Sequence, residues 1–131
     1  MQLEEGSVAT KFERLPYSQV LLSCQRFFIS NTSGVYENFG VGVASATFAD
    51  IAVILSSTMR TAPTFSYSSA LANFTLYDGV SSYTPTSIVL QDAPYGNICA
   101  VRVYATLTAG RAVRLGANNS TSARLNFSAR L

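Results

Sequence analysis

The chain has 131 residues, enough for one domain with a real core. Hydrophobic residues make up 48% and aromatics 11%, which excludes a disordered chain, while charged residues reach only 12%. The formal charge is +2, and the eight Arg and single Lys (Lys11) are dispersed, which excludes the dense basic groove that nucleic acid needs.

Residues 1–15 include Glu4, Glu5 and Glu13 and show little periodic hydrophobicity. They are predicted to form an extended arm leading into a domain over 16–131. The start of the chain has no basic stretch followed by an apolar one, so it does not read as a signal peptide. No apolar run approaches the ~18 residues of a membrane span, so no membrane insertion is expected. Ser18 is placed to cap a short helix over 18–23, with Val20, Leu21 and Cys24 at helical spacing. Residues 24–30 then read as a strand and 31–34 as its turn.

Beyond this point the hydrophobic period is two. Ile51, Val53, Leu55 and Met59 share one face. Cys99, Val101, Val103, Ala105 and Leu107 point inward, against Arg102, Tyr104 and Thr106 outward. At the end of the chain Ala123, Leu125, Phe127, Ala129 and Leu131 take one side, and Arg124, Asn126, Ser128 and Arg130 the other. Further strands are predicted over 40–48, 64–69, 72–78, 86–91 and 112–115. Turn signals separate them at Ala62-Pro63, Asp78-Gly79, Ala93-Pro94 with Gly96, Ala109-Gly110 and residues 116–119. About eight strands at short intervals, without a long helix, predict an all-β fold, an antiparallel β-sandwich or jelly roll.

The chemistry available is narrow. Having no histidine, the chain has neither a Ser-His-Asp nor a Cys-His arrangement, and with no closely spaced Cys pair either it offers no zinc site. Of seven carboxylates, Glu37, Asp50, Asp78 and Asp92 lie outside the arm, mostly beside turns, where Asp commonly bonds nearby amides. Gly40 and Gly42 lack the Lys and helix of a phosphate loop; Asp78 and Asp92 with backbone carbonyls leave calcium open, although no EF-hand-like loop is present. The chain is therefore read as a non-enzyme without cofactor. Cys24 and Cys99 form a disulfide only if their strands are neighbours. Two buried free thiols are the favoured expectation.

Two binding features are candidates. Tyr77, Tyr83 and Tyr95 lie near turns with Asp78 and Asn97, and exposed rings beside Asp and Asn are the usual platform for sugars. Tyr is also ordinary strand filler, and the chain has no Trp. Arg26, Phe28, Met59 and Arg60 are candidates for a subunit interface, an Arg being able to pair bidentately across it. A strand-end role for the two arginines is the competing reading.

The segment 2–28 resembles a linker and lead-in found in many bacteriophage tail, fibre and other virion proteins. The residues that carry the likeness are Gln2, Leu3, Glu4, Gly6, Ser7, Ala9, Thr10, Phe12, Glu13, Pro16, Tyr17, Cys24, Gln25, Arg26, Phe27 and Phe28. Met59-Arg60 with Pro63-Thr64, and the closing stretch 123–131, resemble further elements of those domains. The match is loose over residues 66–98. The resemblance implies a phage virion structural protein, a particle-surface domain of a tail fibre or spike, assembling with other virion proteins and commonly as a homotrimer. It also leaves a host-glycan receptor-binding module and a capsid cement or decoration protein as alternatives. Its implied location is the virion, assembled in the host cytoplasm.

Overall fold

A computed structural model describes residues 14–32, 34–68, 70–95 and 97–129. The side chains of Thr32, Ala93, Pro94 and Tyr95 lie outside this description, as do Lys11, most of the proposed arm, Arg130 and Leu131. The fold is all-β, as the alternation predicts, the described residues forming ten strands in two antiparallel sheets and one α-helix.

Helix α1 spans Tyr17–Gln25, longer than the predicted 18–23. Pro16 occupies its N-cap, so Ser18 is inside the helix and caps nothing. The helix also consumes the start of the stretch predicted as the first strand. β1 begins only at Phe28 and runs to Thr32.

Strands β2 (Asn38–Ala44) and β3 (Phe48–Ile54) form a hairpin. The single strand predicted over 40–48 is thus split at Ser45, whose N–H bonds the Phe48 carbonyl at 2.7 Å. β4 (Thr64–Ser68) and β5 (Phe74–Tyr77) follow, the second after a single 3-10 turn, and β6 is the two-residue Ser82–Tyr83. β7 (Ser87–Tyr95) pairs with β8 (Ile98–Tyr104), and β9 (Ala112–Ala117) and β10 (Arg124–Ser128) complete the fold. Ala93 and Pro94, predicted as a turn, lie within β7 at a register shift between Asp92 and Tyr95. A terminal strand tolerates proline there, because its missing N–H breaks no ladder bond.

The smaller sheet has the order β1-β10-β4 and the larger β6-β5-β9-β2-β3-β8-β7. The core lies between them. Ile29, Leu125 and Phe127 enter it from the small sheet, and Ile51, Val53, Phe74, Leu76, Val101, Val103, Val113 and Leu115 from the large one. The predicted inward set of β8 is buried as expected, from Cys99 to Leu107, as are Ala123, Leu125, Phe127 and Ala129 around β10. Aromatic rings pack within and between the layers: Phe127 contacts its β4 neighbour Phe65 at 5.3 Å between centroids, and Tyr67 of the small sheet meets Phe74 of the large one edge-on at 6.0 Å. Such pairs contribute ~0.5–1.5 kcal/mol beyond the area they bury.

A bulge at Phe39 decides what β2 shows to solvent. Asn38 pairs with Gly116 and Gly40 with Leu115, leaving Phe39 as the extra residue. Phe39 consequently packs against the core, with its ring 5.7 Å from Phe74, while Val41 and Val43 turn outward. Gly42 sits where the β2 and β3 backbones approach closely. A Cβ there would collide with the Asp50 carbonyl.

Candidate functional site

The sugar-platform candidates separate into two places. Tyr77, Asp78 and Tyr83 come together at the β5–β6 edge of the large sheet, whereas Asn97 lies at the β7–β8 turn on the opposite edge. The Tyr95 side chain is outside the described set.

Asp78 is not available to a ligand. Its side chain is 1% exposed and accepts from Val80 N–H at 3.0 Å and Ser81 N–H at 2.7 Å. Tyr83 Oη donates to it at 3.3 Å and Arg111 Nη1 at 3.1 Å. The Ser81 and Val80 amides, then Arg111 and Tyr83, hold this carboxyl below its ordinary range, against the opposing pull of burial. Asp78 is the staple of the β5–β6 turn, and Tyr83 is part of that staple.

Beside it is a groove that alternation alone does not announce. With Phe74 and Leu76 in the core, Thr75 and Tyr77 face outward, and register places Thr75 beside Gly116 and Tyr77 beside Arg114. Gly116 in turn pairs with Asn38, and Arg114 with Val41. A hollow of about 170 Å³ opens beside Gly116, at a position where a Cβ would crowd the Glu37 carbonyl and Asn38 Oδ1. Tyr36, Asn38, Tyr77, Ser82, Arg114 and Asn118 wall this hollow.

Arg114 stands over the Tyr77 ring at 4.9 Å. Among the described residues, ion pairs join Arg102 to Asp50 and Arg111 to Asp78, and neither involves Arg114. Asn118 lines the hollow and donates its side-chain amide to the Ala72 carbonyl at 3.0 Å. Tyr36 is 64% exposed and has φ of 62°, a left-handed conformation that bulky side chains rarely adopt. Glu37 is turned back, accepting from Gly34 N–H within its own turn.

The interface candidates also sort cleanly. Arg26, Phe28 and Arg60 are exposed and lie at one end of the molecule, where Arg60 N–H bonds the Arg26 carbonyl at 2.9 Å and its guanidinium lies 5.4 Å from the Phe27 ring centre. Met59 is buried in the core and cannot be a contact residue. What the sequence did not single out is the helix itself: α1 buries no residue, and Tyr17, Val20, Leu21 and Leu22 are all exposed. Both cysteines are free, and Cys24 is exposed where a buried thiol is expected.

Among the described residues no three His, Cys, Asp or Glu side chains converge as metal ligands, and no helix is long and apolar enough to cross a membrane. No family model, curated protein or solved structure matches the chain.

Proposed function

We propose that this chain is a non-catalytic virion structural domain, a particle-surface module of a phage tail fibre or spike that assembles through α1 into a homo-oligomer. The observation that carries the assembly reading is the bare helix. A nine-residue helix is too short to persist alone in water, and this one has no side-chain cap and no buried residue. A second copy supplies what it lacks.

The chemistry of the patch favours a copy of itself. From Leu15 to Gln25 there is no charged side chain, so identical helices meet without repulsion. Tyr17, Val20, Leu21 and Cys24 fall at the i, i+3, i+4, i+7 spacing of a helix–helix seam. With Leu15, Leu22, Phe27 and Phe28, also exposed, they offer on the order of 800 Å², about one partner's share of a standard stable interface. The phage assignment rests on the resemblance of segment 2–28 and Met59–Thr64 to virion domains, and a trimer is what that resemblance implies.

Solution mass at micromolar concentration tests the assembly. An oligomer is expected, with a Leu21→Glu, Leu22→Glu double variant reduced to monomer while keeping its β-sheet spectrum. Mild oxidation should link Cys24 to Cys24 between chains. A wild-type monomer that binds no other virion protein overturns the proposal.

A further inference from the structure

We propose that the hollow beside Gly116 is a binding site for a carboxylated saccharide, an acidic pyranose of the uronic or sialic type. This goes beyond the assembly reading and does not depend on it, since the site lies on β2, β5 and β9 and not on α1.

Three properties of the hollow select this class of ligand. First, Arg114 brings a guanidinium held against the Tyr77 ring and, among the described residues, not ion-paired to a carboxylate. Such a fork is pre-ordered, and its natural complement is a planar anion taken by two parallel hydrogen bonds. Secondly, the rest of the wall is neutral and suited to hydroxyl groups: the Asn38 and Asn118 amides and the Thr75 and Ser82 hydroxyls. A simple inorganic anion would leave these unused. Thirdly, Tyr36 displays a largely exposed ring at the rim, and the apolar face of a sugar stacks on such a ring.

The size agrees. About 170 Å³ is below the ~300–1,000 Å³ of sites for drug-sized ligands, and suits one sugar ring with its neighbours left in solvent. The backbone of Tyr36 adds a separate argument. Left-handed φ costs a bulky residue ~1–2 kcal/mol, and Asn or Gly at this turn position would avoid it. A ring kept there at a cost to folding points to use of the ring.

The test is an amide chemical-shift titration of the full chain. The probes are a hyaluronan tetrasaccharide and a short α2,8-linked sialic acid oligomer, with maltotetraose as the neutral sugar and acetate as the bare carboxylate. Saturable shifts are expected at residues 36–38, 75–77 and 114–118 with at least one acidic sugar, and binding at least tenfold weaker for maltotetraose and acetate. Arg114→Gln should weaken the acidic sugar at least tenfold. Tyr36→Asn should do the same while raising thermal stability, because asparagine tolerates the left-handed backbone. This second variant keeps the test decisive should the Arg114 variant fold poorly. Equal binding of maltotetraose or acetate, shifts that map elsewhere, no saturation with either acidic sugar, or undiminished binding by Tyr36→Asn would each overturn the proposal.

Discussion

Arg102 on β8 and Asp50 on β3 are register partners, joined by two parallel hydrogen bonds of 2.7 and 2.8 Å. The guanidinium also lies 4.1 Å from the Phe48 ring centre, so the pair is fixed from the side as well as across the strands. It sits on the outer face of the large sheet with Val41, Val43 and Ile54, also exposed, on neighbouring positions. The bond from Arg102 holds the Asp50 carboxyl below its ordinary range, with burial opposing.

Acid stability follows from the two depressed carboxyls, Asp50 and Asp78. A carboxyl whose folded pKa is lowered contributes stability that is complete above its unfolded value, near ~3.9, and is lost as pH falls through the folded value. Urea midpoints should therefore hold from pH 7 to about pH 4 and fall below it. Asp50→Asn should cost under about 1 kcal/mol at neutral pH, because that pair is partly solvated. Asp78→Asn should cost clearly more, since two backbone amides, a tyrosine and an arginine lose an ionised acceptor, and its acid profile should be flatter. A wild-type profile that stays level to pH 2, or an Asp78→Asn variant as stable as wild type at pH 7, contradicts this account.

The thiols should differ sharply. Cys99 is buried, donates to the Val53 carbonyl at 3.6 Å, and has its thiol pushed up to about 11 by burial. Cys24 is exposed on α1. Brief alkylation at pH 8 of dilute folded chain, followed by peptide mapping, should find the label on Cys24 and none on Cys99. Both should react in denaturant. Label on Cys99 in the folded chain would show the β3–β8 layer to be far looser than its packing indicates.

Two glycines should behave as opposites. Gly42→Ala drives a methyl group into the Asp50 carbonyl and forces β2 from β3, so a loss on the order of 3–5 kcal/mol is expected. Gly79 has φ of 88° but open space around the position of a Cβ, so Gly79→Ala should cost only the backbone term, about 1–2 kcal/mol. Thermal melts of the two variants decide it, and equal losses would disprove the close approach.

Period-two patterning made the inner halves of β3, β8 and β10 legible, because one buried face imposes a rule that holds along a whole strand. Patterning fails where that rule is broken. Phe39, just ahead of the strand predicted over 40–48, shares the parity of the outward Val41 and Val43 and is turned in only by the bulge, and Ser82–Tyr83 is too short to alternate at all. The Ala93-Pro94 pair reads as a turn because proline cannot serve a central strand, whereas β7 is terminal. The candidate site was half visible. Tyr77 stood out beside a turn, but its partnership with Arg114, and the alignment of Thr75, Gly116 and Asn38 across three strands, depend on which strands lie side by side. Pairings such as Asp78 with Arg111, 33 residues apart, leave no local trace.

The terminal strands of the large sheet have a consequence for crowding. On one side β6 is only two residues long, and on the other β7 carries two register shifts and a proline. Neither offers a long straight row of free amides and carbonyls on which another chain could template itself. Crowding at high local density is thus kept from zipping the edges of the large sheets into a continuous ribbon, the usual first step of fibrous aggregation.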